Sequence, residues 1–187
     1  MTAAPAADTR SKLLRAALEL IGEGGVAELT NRTVARRAGV ALGSLTYHFE
    51  SQTAMLREAL ALFLAEETAR LEELTAALRD ARLTDEQGVA ALEAMLAGDT
   101  PRRIAKLELY LQATRDPDLV GAARACFAAY DRLAASALAS LGIEDADALA
   151  PVMVAVIDGL QLRRLASGEA KLEIAEPLRL LLAGVRR

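Results

Sequence analysis

Between Ala38 and Gln52 the chain reads AGVALGSLTYHFESQ, bringing together Ser44, Thr46, Tyr47 and the single histidine, His48. Hydroxyls beside an imidazole invite a catalytic reading. General-base chemistry, however, needs an orienting acid and a nucleophile within hydrogen-bond reach. The nearest acid, Glu50, belongs on a different face from His48, and no GxSxG, HExxH or phosphate-loop pattern occurs in the chain. No catalytic residue is assigned, and neither a metal site nor a cofactor motif is visible. The same side chains suit a second task. Short hydroxyls and ring-borne polar tips can meet phosphates and base edges in a nucleic-acid groove.

That task needs a rigid surface. Leu45 and Phe49, at i and i+4, give a short helix from about Leu42 or Gly43 to Phe49 an inner face, leaving Gly43, Ser44, Thr46, Tyr47 and His48 outside or along its flank. Gly43 removes bulk where a backbone must approach a groove. A preceding helix starts at a Thr30 or Asn31 cap, turns Val34, Ala35 and Ala38 inward and stops at Gly39. Before it, Leu13, Leu14, Ala17, Leu18 and Ile21 space a helix from Thr9 to Glu23, closed by Gly24-Gly25. Three helices in the first 50 or so residues, the last two joined by a tight glycine turn, predict a helix-turn-helix.

The rest of the chain is also helical in pattern. Ser51 caps a long helix reaching about Asp80, with Met55, Leu56, Ala59, Leu60, Phe63 and Leu64 along one side. Further helices are expected from Thr84 to Gly98, Pro101 to Arg115, 117–141, Asp145 to Ala166 (with Pro151 in or near its early turns) and Ala175 to Ala183. Ala125, Ala129, Leu133 and Ala137 recur every four residues, as Val152, Val156, Gly159 and Leu160 do on the later helix. Such stripes serve either an oligomer interface or an intrachain bundle core.

The totals agree with an all-α protein. The chain has 187 residues, 53% hydrophobic and only 3% aromatic, with Ala, Leu, Glu and Arg abundant and β-branched residues sparse. One cysteine, Cys126, excludes an intrachain disulfide and paired-thiolate metal sites. The start MTAAPAADTR has neither a basic leader nor an apolar core, so no secretory signal is expected, and no apolar run approaches the ~20 residues of a membrane span. We expect a soluble, cytoplasmic protein without membrane contact. The net charge of −4 argues against a uniformly basic surface, yet Asn31 to Phe49 holds three arginines and no acid. A locally basic face is enough for nucleic-acid binding.

The stretch LTNRTVARRAGVALGSLTYHFESQTAML, Leu29 to Leu56, resembles the DNA-binding domain of the tetracycline-repressor (TetR) family of bacterial regulators. The features that carry the resemblance are the Thr-x-Arg opening of the second helix, VA…AGV through the turn, and GSLTYHF followed by a serine at the next helix start. DGLQLRRLASG, Asp158 to Gly168, is similar to a late helix of many members. The resemblance implies a tail over residues 1–8, a helix-turn-helix DNA-binding domain over 9–52, and a helical ligand-binding and dimerisation domain over 53–187. It implies a homodimer, formed through the helices around 117–141 and 145–167, that binds a palindromic double-stranded DNA operator and is released by a small-molecule effector. Carried over, Arg32 reaches a base or phosphate, Thr30 and Asn31 meet the backbone, and Leu42, Gly43, Ser44 and Thr46 lie against bases. Tyr47 and His48 clamp phosphates. Arg36 and Arg37 map to no standard contact and read as a solvated face that adds favourable potential.

Three positions depart from the family pattern. Ala41 stands where the third helix is usually capped, at a cost of about 1 kcal/mol. Thr46 replaces a second aromatic, and Gln52 replaces the usual lysine. Gln52 can still bond a phosphate, but one counterion release is lost, so weaker and less salt-sensitive binding is expected. For the effector pocket the candidates are Phe63, Met95, Tyr110, Phe127, Tyr130 and Met153, with Glu108 and Gln112 as polar anchors; few aromatics favour a largely aliphatic ligand. Two alternatives stay open: a DNA-binding regulator without a small-molecule ligand, and an all-α enzyme.

Overall fold

The computed structural model describes residues 6–79, 81–84, 86–88, 90, 99–168 and 175–185. These form α1 (Ala6–Gly24), α2 (Asn31–Ala38), α3 (Leu42–His48), α4 (Gln52–Leu78), α5 (Thr100–Ala113), α6 (Val120–Ser140), α7 (Ala146–Ser167) and α8 (Ala175–Val185). Short 3-10 turns at Val26–Glu28 and Pro117–Leu119 precede α2 and α6. No strand occurs among the described residues, so the fold is all-α. Of the helix expected from Thr84 to Gly98, Glu86–Gly88 and Ala90 are helical and most of the remainder, Met95 included, lies outside the described residues. The tail expected over 1–8 needs correction, because Ala6 to Asp8 already belong to α1. Asp8 sits in its first turn and pairs with Lys12 one turn on, at 2.7 Å, a favourable arrangement of an acid at a helix start.

Packing divides the chain into two compact units, Met1–Glu67 with Asp99–Ala125, and Thr68–Gly98 with Cys126–Arg187. In the first, α1 packs against α2, α3 and α5, and α2 against α3. Its interior takes Leu13, Ala17 and Ile21 from α1, Leu29 and Val34 around α2, and Leu45 and Phe49 from α3. The spacing of the apolar residues is what turns these faces inward. At the α1–α5 crossing Gly22 is required for space, since a Cβ there would lie 2.8 Å from Pro101 Cβ.

Polar contacts lock the same unit. The Val26 N–H donates to Glu108 Oε1 at 3.1 Å. Arg57 of α4 forks onto Asp116, Nε to Oδ2 at 2.6 Å and Nη2 to Oδ1 at 2.9 Å. Its Nη1 also reaches Asp118 at 2.8 Å. Glu67 continues the inward register of Leu60 and Phe63, and its fully buried carboxylate meets Arg102 Nη1 at 2.6 Å. A charge at such depth is tolerable only when paired.

The second unit is built from apolar clusters. Leu138, Leu141 and Ile143 pack with Met153 and Ile157, and Leu71 packs with Ala129 and Leu133. Ala134, Ala150 and Val154 form a third cluster, flanked by Tyr130. The expected α6 stripe is thus partly intrachain core: Ala129 and Leu133 are buried inside one chain. Among the described residues no helix is long and apolar enough to cross a membrane.

Candidate nucleic-acid interface

The helix-turn-helix is assembled by local chemistry. Thr30 caps α2 reciprocally with Thr33: the Thr33 N–H donates to Thr30 Oγ1 at 3.1 Å, and the Thr30 N–H donates to Thr33 Oγ1 at 3.0 Å. Thr33 Oγ1 also donates to the Glu28 carbonyl at 2.7 Å. This capping box satisfies donors that a helix start leaves open. At the far end Gly39 has φ 67°, and the Val40 N–H returns to the Ala35 carbonyl at 3.0 Å. The left-handed conformation at a helix end suits glycine. Ala41 then starts α3 without a side-chain cap, as its methyl requires.

Leu45 and Phe49 anchor α3 in the interior at 2% and 5% exposure, and the opposite face is left to solvent. Tyr47 is 82% exposed and Leu42 49%. Gly43 and Thr46 are exposed, while Ser44 and His48 are half-buried. Thr46 Oγ1 donates to the Gly43 carbonyl at 3.0 Å. The Tyr47 and His48 rings stand edge to face, 5.2 Å apart and inclined by 81°. This sets two hydrogen-bonding rings side by side. Nothing lies within 4 Å of where a Gly43 Cβ would stand. Arg32 is exposed at the start of α2 beside the half-buried Asn31, whose buried Oδ1 has no hydrogen-bond partner among the described residues. Nine of the ten residues singled out thus lie on or beside α2 and α3.

Gln52, the tenth, behaves differently. It opens α4, and its Nε2 donates to the Leu29 carbonyl, just ahead of the α2 cap. Arg37 differs too from the solvated, field-adding residue expected. It is forked onto Glu23, with a further contact to Glu19 at 3.3 Å. The hydrogen-bonded guanidinium holds the Glu23 carboxyl below its ordinary value, and Arg37 itself is raised by the same bonds. Arg36 is exposed.

The residues singled out for an effector fall in both units. Phe63 is buried in the first. Glu108 accepts from Val26, and Tyr110 and Gln112 are half-buried on the same helix, α5. In the second unit, Met153 belongs to a core cluster, Tyr130 is partly buried, and Phe127 is 42% exposed. Met95 lies outside the described residues.

Several structural residues escaped the sequence reading. Thr33 was signalled by the Thr-x-x-Thr spacing across the α2 start. Glu67 was signalled by an acid in an apolar register. Arg57, Asp116 and Asp118 carried no signal, since only folding brings them together. Among the described residues no group of His, Cys, Asp and Glu has a metal-binding arrangement.

A capped helix, a glycine turn and a second helix anchored by one apolar face define a helix-turn-helix protein. Family models agree: "Bacterial regulatory proteins, tetR family" matches residues 13–59 and "Tetracyclin repressor-like, C-terminal domain" matches 83–187. The second covers more than half of the chain, and the protein belongs to the TetR family. It is 38% identical over 90 residues to the HTH-type transcriptional repressor KstR2 of Rhodococcus jostii, 45% of this chain and 44% of that protein, so the chain spans under half of that relative's length. A TetR-family structure from Streptomyces coelicolor A3 superposes with TM-score 0.70 at 31% identity, covering 95% of this chain and 98% of that one. The multidrug binding protein EbrR, complexed with imidazole, superposes with TM-score 0.68 at 31% identity over 94% and 93%.

Proposed function

We propose that the protein is a ligand-responsive transcriptional regulator, a repressor, which binds a palindromic DNA operator as a homodimer and is released by a small, largely apolar effector. The observation that carries this reading is the outer face of α3. A 7-residue helix, held from behind by Leu45 and Phe49, offers Leu42, Gly43, Thr46 and a Tyr47 ring that is 82% exposed. An exposed ring with no burial role is what a phosphate contact requires, and a bare glycine lets the backbone come close to the bases. Arg32, Thr30 and Asn31 contribute from the capped end of α2, where backbone N–H groups favour phosphate. Residues 9–52 form the reading head in this scheme, and 53–187 the regulatory part.

In a homodimer two copies of α3 enter successive major grooves about 34–36 Å apart. Self-association is supported by an exposed apolar face on α7, where Val152 and Leu162 are 61% and 52% exposed on the same side as Ala155 and Gly159. An effector regulates only by favouring one arrangement, and a difference of about 1–3 kcal/mol is the usual size. Of the candidates for its binding, Tyr110 and Gln112 stand half-buried on α5 in the first unit, and Phe127 and Tyr130 lie on α6 in the second. EbrR, a multidrug binding protein, supports a small-molecule effector here.

Selection of binding sites from random duplexes, followed by anisotropy on the winning sequence with wild type and Tyr47→Ala, tests the proposal. A palindromic winner bound by wild type and lost by the variant is expected. No enrichment with well-folded protein would sink it.

A further inference from the structure

We propose that a cleft among α1, α4 and α5, inside the first unit, is a ligand site for a small organic cation with an apolar body. The cleft has a volume of about 210 Å³. This is below the ~300 Å³ at which sites for drug-sized ligands begin, so its occupant is small. Of the residues singled out for an effector in the sequence, it takes in only Phe63.

The floor is apolar. Leu18 of α1, Phe63 of α4, and Pro101 and Ala105 of α5 line it, and they favour burial of a hydrocarbon or aryl body. The rim is charged and fixes the sign of the head group. It carries Arg15, Glu19, Glu66, Asp99 and Arg102, three acids to two bases, and each arginine already faces a carboxylate. Arg102 holds the fully buried Glu67 carboxylate at 2.6 Å, and withdrawing it would strand a buried charge. Arg15 pairs with Glu66 at 3.1 Å.

The acids have acceptor capacity to spare, because a carboxylate offers about four lone-pair sites. Asp99 stands 4.0 Å from Arg102 Nε. Glu19 receives a single 3.3 Å contact from Arg37, whose main fork is on Glu23. An ammonium group entering the cleft therefore meets under-used carboxylates. An entering carboxylate meets three acids against two arginines that already face carboxylates.

The site is linked to the reading head by covalent and packing continuity within one unit. Helix α1, which forms one wall, packs on α2 and α3. Glu19 on that wall also holds Arg37 of α2. A consequence for DNA binding rests on the regulator reading above; cation binding itself does not.

Calorimetry of the full chain without DNA tests the site, using phenethylammonium and its charge-reversed counterpart 3-phenylpropionate as probes. One molecule of phenethylammonium per chain is expected to bind and the carboxylate is not. Glu19→Gln and Glu66→Gln should each weaken the ammonium about tenfold, the loss of one charge-assisted hydrogen bond. Both positions are solvent-accessible, so the variants should fold, and thermal melting verifies it. Absence of ammonium binding, equal binding of the two probes, or affinity unchanged in both variants would overturn the proposal. Because no operator is present, a failure here leaves the operator reading intact, and failed operator selection leaves the calorimetry interpretable.

Discussion

Arg37 of α2 forks onto Glu23 of α1, Nη1 to Oε1 at 2.8 Å and Nη2 to Oε2 at 2.6 Å. The pair joins the end of α2 to the helix behind it. It also ties one of the three arginines in the basic stretch around α3 to a carboxylate of α1.

The pair makes stability depend on acid. Glu23 is lowered from 4.5 by its hydrogen bond to Arg37, and Asp116 from 3.8 by its hydrogen bond to Arg57. A depressed folded value means that the contribution is present above the unfolded value and is lost as pH falls through the folded one. The thermal midpoint should hold from neutral pH to about 5 and then fall as pH passes below 4.5 and 3.8. Glu23→Gln and Asp116→Asn should each flatten that fall. Asp131 has the opposite sign, raised by burial and by the charge of Asp158. Asp131→Asn should therefore stabilise at neutral pH, an advantage that disappears below 3.8. Melting curves across pH check all three.

Tyr47→Ala should leave stability within about 0.5 kcal/mol, since an exposed side chain is removed. Operator affinity should fall tenfold or more, as a hydrogen bond to a charged phosphate is worth about 1.5–3 kcal/mol. Gly43→Ala should raise stability by roughly 0.5–1 kcal/mol, because a helical glycine is costly and nothing obstructs the new methyl. The same methyl should weaken DNA binding. Stability and affinity moving in opposite directions in this variant would mark the surface as built for a close partner; a parallel change would argue against it.

At Gly39, φ is 67°. Gly39→Ala should cost about 1–2 kcal/mol, the penalty of a left-handed L-residue. The new Cβ itself meets nothing within 4 Å. A chemical-denaturation midpoint unchanged by the substitution would contradict the turn geometry.

Gln52 donates to the Leu29 carbonyl, so it also positions the α2 cap. Gln52→Ala should loosen the cap and weaken DNA binding, with the slope of log affinity against log salt unchanged. Gln52→Lys should steepen that slope by about 0.9, one added phosphate contact. A slope identical to wild type in the lysine variant would place this position away from the phosphates. Anisotropy at several salt concentrations reads both.

Much of this protein was legible in the sequence because its information is local. Periodicity and caps placed α1, α2, α3 and α4 within a few residues. The i, i+4 pair Leu45 and Phe49 was enough to say which face of α3 looks outward. What periodicity cannot supply is the far partner. It says that Glu67 points inward but not that Arg102 waits there, and nothing about Gln52 names Leu29 as its acceptor. The closeness of Gly22 to Pro101, the arginine forks at Asp116 and Glu23, and the membership of α5 in the same compact unit as the helix-turn-helix were decided by tertiary packing. Helix formation is settled within a turn or two of chain, whereas these contacts join residues 14 to 79 positions apart that only the folded chain brings within reach.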